Sequence, residues 1–150
     1  MPLIGERERR VLQERLQELA GPLEIEVFTR DTRLFIPGRD CPGCEETVRL
    51  LEELCQLHPS LRLVVRDLDR DTERARELGI ERAPAVVVHG RAGGRVRFTG
   101  PPLGYEFATL VETLVDAGRS GPVAEAPEPH VERLEEAGQP VHLRVFFTPT

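Results

Sequence analysis

The sequence predicts a small α/β sandwich built around a four-stranded mixed sheet. Helical and strand-like patterns alternate along residues 6–89, which is typical of strands joined by crossover helices. A glycine-rich turn at 90–94 then joins two strand-like runs directly, and a helical pattern ends at residue 117. The resulting order is α, β, α, β, α, β, β, α. Such an order gives a helix-linked first half followed by a hairpin and a closing helix.

Hydrophobic periodicity defines each element of this unit. The first helix, residues 6–19, places Val11, Leu12, Leu16 and Leu19 on one face, and Gly21-Pro22 ends it. Apolar and polar residues alternate from Leu23 to Thr29, which indicates a strand. The nearly all-apolar run 84–89 is typical of a strand at a sheet centre. The other predicted elements are a loop at 30–40, helices at 44–57, 72–79 and 104–117, and strands at 61–68 and 95–98.

The C-terminal residues predict the beginning of a second unit. Residues 118–129 have the composition of a linker. Residues 132–146 then repeat residues 14–28 at an offset of 118, with seven identities. We therefore expect residues 1–120 to form one unit, and 121–150 to hold a linker and the truncated first helix and strand of another. An unpaired strand at 141–147 is expected to pack on another chain or to leave the tail mobile.

Charge and hydropathy exclude several classes of function. A net charge of −6 and a pI near 5.3 argue against nucleic-acid binding. No run approaches the ~20 apolar residues that span a bilayer, and the N-terminus does not resemble a signal peptide. We therefore expect a cytoplasmic protein without a membrane partner. Structural disulfides are uncommon in the cytoplasm, so paired cysteines there favour catalysis or metal binding.

The motif Cys41-Pro42-Gly43-Cys44 lies between a predicted strand and a predicted helix. A thiol attacks only as the thiolate, and the unpaired N–H groups and dipole at a helix N-terminus stabilise such an anion. Cys41 is therefore the expected nucleophile, and Cys44, about one turn further, is the expected resolving thiol. Pro42 suits the first helical position, and we expect Pro42 and Gly43 to meet the substrate.

A second candidate feature is the turn Arg82-Ala83-Pro84 before the apolar strand. Proline at the first residue of a strand removes no ladder hydrogen bond. A cis Ala83–Pro84 bond would turn the backbone of Ala83 toward the cysteines, where it could pair with an extended substrate chain. The alternative is an ordinary trans-proline at the start of a strand.

Together these features resemble the thioredoxin superfamily, and most closely the N-terminal unit of the two-unit protein disulfide oxidoreductases, the glutaredoxin-like proteins. The resemblance rests on the charged first helix, the CPGC motif, the Arg82-Ala83-Pro84 turn, the Gly104-Tyr105-Glu106-Phe107 run and the C-terminal VFFTPT run. It implies a thioredoxin-like three-layer sandwich with an extra N-terminal helix. The nucleophile, resolving thiol and cis-proline of the family correspond to Cys41, Cys44 and Pro84.

The resemblance also implies an activity and its partners. The family exchanges disulfides with protein substrates and receives electrons from a flavin-dependent thioredoxin-reductase-like protein. Glutathione is a second candidate partner. We expect no bound cofactor and no metal in this chain.

Two other functions are compatible with the sequence. The unit could be a non-catalytic docking module whose cysteines are buried or slow. Cys41 and Cys44 could also bind zinc together with Cys55 and His58. The spacing of Cys55 favours a buried apolar role instead, and the place of His58 at a helix end favours capping.

The remaining candidate residues are Glu26, Tyr105, Phe107 and His89. Glu26, a polar residue in the first strand, could face solvent, or it could be a buried carboxylate that relays protons to Cys44. Tyr105 and Phe107 are expected to pack at the start of the last helix. His89 has no recognisable partner in the sequence.

Overall fold

The computed structural model describes residues 1–31, 37–119 and 128–146. Within them it confirms the predicted α/β fold, with bounds that differ from the prediction by a few residues. The strands are β1 Leu23–Thr29, β2 Leu61–Asp67, β3 Ala85–His89 and β4 Arg95–Thr99. The helices are α1 Glu6–Leu16, α2 Cys44–Cys55, α3 Thr72–Leu78, α4 Tyr105–Ala117 and α5 Glu128–Ala137. None of the helices in these described ranges has the length and apolar character needed to cross a membrane.

The four strands form one mixed sheet in the order β2-β1-β3-β4. β1 is parallel to β2 and antiparallel to β3, and β3 is antiparallel to β4. The parallel strands β1 and β2 need a crossover connection, which α2 provides. The antiparallel strands β3 and β4 need only the tight turn between them. The central strands β1 and β3 are almost wholly buried, as the apolar run predicts for β3 but the alternation in β1 does not predict for Glu26.

Alternation along β1 separates two faces of the sheet. Ile25 and Val27 pack in one core cluster with apolar residues of α1, α2 and α4. Phe28 packs in a second cluster with Ala75 and Leu78 of α3. The sheet is therefore the middle of three layers, with α2 and α4 on one face and α3 on the other.

The N-terminal helix differs from the prediction in its length and its apolar stripe. α1 ends at Leu16 rather than at Leu19. Leu16 and Leu19 are buried and Leu12 packs on the core, but Val11 is 60% exposed, so its predicted inward position is wrong. The stripe is narrower than expected because α1 packs on one side of the domain, mainly against α4.

The C-terminal region has a helix where the repeat predicts one. α5 covers the copy of the first helix, but residues 141–146 are exposed and form no strand. The predicted strand at 141–147 is thus not formed over its described part, and Phe147 lies outside the described residues. Residues 120–127 of the predicted linker and 32–36 of the loop before the motif also lie outside them. The second unit stays a prediction.

Candidate redox site

The CPGC motif forms the turn that begins α2. Gly43 is the N-cap residue and adopts a left-handed conformation, with φ of +81°. The amide of Cys44 donates to the carbonyl of Cys41 at 3.1 Å. The carbonyl of Gly43 accepts two bonds from Thr47, one from its amide at 2.9 Å and one from its buried hydroxyl at 2.6 Å. These hydrogen bonds hold the CPGC turn against the start of α2.

Cys41 and Cys44 form a disulfide, with their Cα atoms 5.5 Å apart. Cys41 is 7% exposed and Cys44 is 1% exposed. The neighbours Asp40 and Pro42 are both exposed. Both cysteines are thus largely buried, and Cys41 is the more accessible residue of the pair. The roles of nucleophile for Cys41 and resolving thiol for Cys44 stay predictions.

The connection between β4 and α4 joins the motif to the Ala83–Pro84 turn. The Ala83–Pro84 peptide bond is cis, as predicted. The amide of Gly100 donates to the carbonyl of Pro84 at 2.9 Å. The ring of the next residue, Pro101, lies so close to Gly43 that a Cβ there would be 3.0 Å from it. Gly100 and Pro101 therefore contact the two parts of the predicted site, the Ala83–Pro84 turn and the CPGC motif.

Glu26 is fully buried, on the α3 face of the sheet. Its carboxylate accepts hydrogen bonds from Arg66 of β2 and Arg74 of α3, and it contacts the Nε2 atom of His89 of β3 at 2.8 Å. Burial alone would raise the pKa of Glu26. The hydrogen bonds from Arg74, Arg66 and His89 outweigh burial and lower the pKa from 4.5 to about 2.

This environment argues against the predicted proton relay. A carboxylate with a pKa of about 2 holds no proton near neutral pH. Its neighbours Ile25 and Val27 point to the face that carries α2, so Glu26 points away from the helix of Cys44. We therefore assign Glu26 to the charge cluster that it forms with Arg66, Arg74 and His89.

The geometry also argues against the zinc site that the sequence allows. Cys44 and Cys55 begin and end α2, and a helical rise over eleven residues separates them by about 16 Å. Two thiolates on one zinc ion lie within about 4 Å. Burial raises the pKa of Cys55 to about 11, and the Nδ1 atom of His58 accepts a bond from the amide of Ser60 at 3.2 Å. Cys55 packs on the core but is only partly buried, and His58 bonds a turn after α2 rather than capping the helix as expected.

One group of side chains in the described ranges has ligand atoms at metal-binding spacing, namely Glu24, Glu26 and His89. The carboxylate of Glu26 is already neutralised by two guanidinium groups. A cation would have to displace or oppose both, so we assign no metal to this group.

Comparison with known proteins finds similar solved structures. No protein-family model and no curated protein sequence matches the chain. A protein disulfide oxidoreductase from Aeropyrum pernix matches 77% of this chain and 48% of its own, with 32% identity and a TM-score of 0.63. The alkylhydroperoxide reductase protein AhpF from Enterococcus faecalis matches 81% of this chain and 56% of its own, with 28% identity and a TM-score of 0.65.

The chain has a thioredoxin-like fold and is similar to both of these proteins. It spans about half the length of these two structures. The thioredoxin-like fold and the Cys41–Cys44 pair support a thiol–disulfide redox activity and redox partner proteins in general terms.

Other parts of this thioredoxin-like site were outside the reach of sequence reasoning. Pro101 and Thr47 both contact the motif turn, and neither stands out in the sequence. The helical spacing of Thr47 from Gly43 was the one available signal, since a threonine hydroxyl can bond a carbonyl four residues earlier. The sequence shows no partner for His89, because its partner Glu26 is 63 residues away.

Gly43→Ala should destabilise the oxidised protein by about 2–3 kcal/mol. The left-handed backbone costs a residue with a Cβ about 1–2 kcal/mol, and the Pro101 ring adds an overpacking cost. Urea denaturation of the variant measures the loss. Gly93→Ala is the matched control, since Gly93 has φ of +94° and no atom near its Cβ position in the described structure. Equal losses in the two variants would show that the Pro101 contact has no energetic weight.

Proposed function

We propose that this chain is a thiol–disulfide oxidoreductase that acts on protein disulfides through Cys41 and Cys44. The observation that supports this most directly is the disulfide at the N-terminus of α2, with Cys41 as its more accessible member. The arrangement offers a nucleophile and a resolving thiol in one turn.

The reaction then proceeds in two exchange steps. The thiolate of Cys41 attacks one sulfur of the substrate disulfide, which breaks that bond and forms a mixed disulfide. The thiolate of Cys44 next attacks the Cys41 sulfur, which closes the Cys41–Cys44 disulfide and releases the substrate with two thiols after it takes up two protons. Two electrons pass from the chain to the substrate, and the reverse sequence oxidises a substrate dithiol.

The position of the motif favours the thiolate that this chemistry needs. The unpaired amides and dipole at the start of a 12-residue helix stabilise an anion on Cys41. Glu45 and Glu46 in the same turn oppose that anion in part. Pro42, Gly43, Ala83 and Pro84 are proposed to contact the substrate, because the Gly100–Pro101 pair joins their two segments.

The partners follow from the resemblance to longer proteins. We propose a flavin-dependent thioredoxin-reductase-like protein as the electron donor, glutathione as a second candidate, and the cytoplasm as the compartment. The two matched chains are about one and a half times as long as this one, which supports residues 1–120 as one thioredoxin-like unit and 121–150 as the beginning of another.

Alkylation of the reduced protein tests whether Cys41 is reactive. After reduction and removal of the reductant, iodoacetamide at pH 7 should label Cys41 at least about a hundredfold faster than Cys55. Only about one Cys55 thiol in 10⁴ is ionised at that pH, because burial raises its pKa to about 11. Peptide mapping by mass spectrometry gives both rates.

Cys55 thus serves as the internal reference for a protected thiol. Protection of Cys41 comparable to that of Cys55 would contradict the enzymatic proposal and support the docking module. Metal retained by the purified protein, measured by elemental analysis, would instead point to a metal-binding pair.

A further inference from the structure

We propose that Leu103 and Tyr105 recognise an apolar side chain of a protein substrate beside its disulfide, and so determine which substrates the chain accepts. This inference rests on the proposed thiol–disulfide exchange. It assigns a substrate class to that site: extended segments with an apolar residue next to the cysteine and basic residues nearby.

Leu103 and Tyr105 lie close in sequence to residues that contact both parts of the site. They belong to the connection from β4 to α4, which contacts Pro84 through Gly100 and Gly43 through Pro101. The amide of Leu103 donates to the carbonyl of Pro101 at 2.9 Å, so the chain turns tightly there. Tyr105 follows four residues after Pro101, and even an extended chain of that length covers only about 14 Å. A substrate segment of a few residues covers the same distance.

Both side chains are exposed to solvent. Leu103 is 38% exposed and Tyr105 is 83% exposed, whereas Pro102 in the same connection is buried. The expectation that Tyr105 packs at the start of α4 is therefore wrong, although Phe107 does pack on the core. Tyrosine is enriched at protein interfaces, because it buries much area with few rotatable bonds.

Other exposed apolar residues serve as a comparison. Val11, Val65 and Val96 are exposed by 45–60%, but they lie on α1 and on the two edge strands of the sheet. Scattered apolar residues of that kind are normal on protein surfaces. Leu103 and Tyr105 differ from them because they follow Pro101, which lies against the motif turn, within four residues.

The charge around the site indicates the rest of the substrate class. The first turns of α2 and α4, which flank this connection, carry Glu45, Glu46 and Glu106, and these outnumber the exposed Arg82 before the Ala83–Pro84 turn. The whole chain is also acidic, with a net charge of −6. A substrate segment with basic residues would be attracted to this end of the molecule, whereas an acidic one would be repelled.

Three synthetic peptides test this assignment. Each forms a disulfide between two cysteines: the first carries Leu and Arg beside one cysteine, the second has Ser in place of Leu, and the third has Glu in place of Arg. The kcat/KM of the native chain should be about tenfold higher for the first peptide than for either of the others. In the variant Leu103→Ser/Tyr105→Ser, the Leu-over-Ser preference should fall to about one.

Two controls separate the possible failures. Val96→Ser removes an exposed apolar residue elsewhere and should keep the full preference. Reduction of 2-hydroxyethyl disulfide, which has no side chain to recognise, reports the exchange chemistry alone. A native chain that reduces this small disulfide but shows no Leu preference, or a double variant that keeps it, would overturn the inference. Equal rates on the Arg and Glu peptides would overturn its charge component. A native chain inactive on the small disulfide would overturn the proposed function itself.

Discussion

Cys41→Ser should reduce the rate of insulin-disulfide reduction by about a thousandfold or more. A serine hydroxyl is not ionised near neutral pH and cannot form a mixed disulfide, so the first exchange step has no substitute nucleophile. Turbidity of insulin in the presence of dithiothreitol measures the rate. Cys44→Ser should behave differently: it leaves the attacking thiol in place and should accumulate a mixed disulfide, detectable as an adduct by mass spectrometry.

Cys55→Ser is the matched control for both substitutions. Cys55 lies at the other end of α2, about 16 Å along the helix from Cys44, and packs against the core. The same change of sulfur to oxygen should therefore leave insulin reduction unaltered. Full activity of the Cys41→Ser variant would exclude Cys41 as the nucleophile that the motif predicts.

Local sequence patterns predicted the parts of this site that depend on neighbouring residues. The alternation in β1 gave its bounds, and the position of the CPGC motif gave the start of α2 at Cys44. The cis bond before Pro84 was predicted from the resemblance rather than from propensity, because most X–Pro bonds are trans. These features need only periodicity, spacing or a known motif.

Contacts between distant segments could not be predicted in this way. Glu26 meets Arg66, Arg74 and His89 at separations of 40, 48 and 63 residues. Neither the burial of Glu26 nor the choice of partners has a local signature, since the sequence allows a solvent-facing side chain at the same position. Tyr105 shows the converse: an aromatic residue at a helix start suggested packing, but the side chain is exposed.

Glu26→Ala should lower the free energy of unfolding by about 3 kcal/mol at pH 7. The carboxylate joins β1 to β2, α3 and β3, and its loss leaves Arg66 and Arg74 facing each other without the anion between them. A pKa lowered from 4.5 to about 2 corresponds to a similar stabilisation of the folded state. Urea denaturation of native and variant chains measures the difference.

Glu24→Ala provides the matched control on the same strand and the same face. Glu24 is 41% exposed, and its nearest guanidinium nitrogen, on Arg62, is 4.0 Å away, so its removal should cost less than about 1 kcal/mol. The prediction for Glu26 would be contradicted if Glu26→Ala and Glu24→Ala were equally stable. Such equality would mean that Arg66 and Arg74 turn to solvent without loss when Glu26 is removed.

The pH dependence of the Glu26 effect has a defined direction. Since the folded-state pKa is lowered, the carboxylate contributes its full stabilisation above pH 4.5, and this contribution falls as the pH decreases toward 2. The stability difference between the native chain and Glu26→Gln, which keeps the shape but not the charge, should thus be constant from pH 5 to 8. It should shrink steadily between pH 4.5 and 2, while Glu24→Gln shows no comparable trend. A difference that stays constant down to pH 2 would show that the shape of the side chain, and not its charge, holds α3 on the sheet.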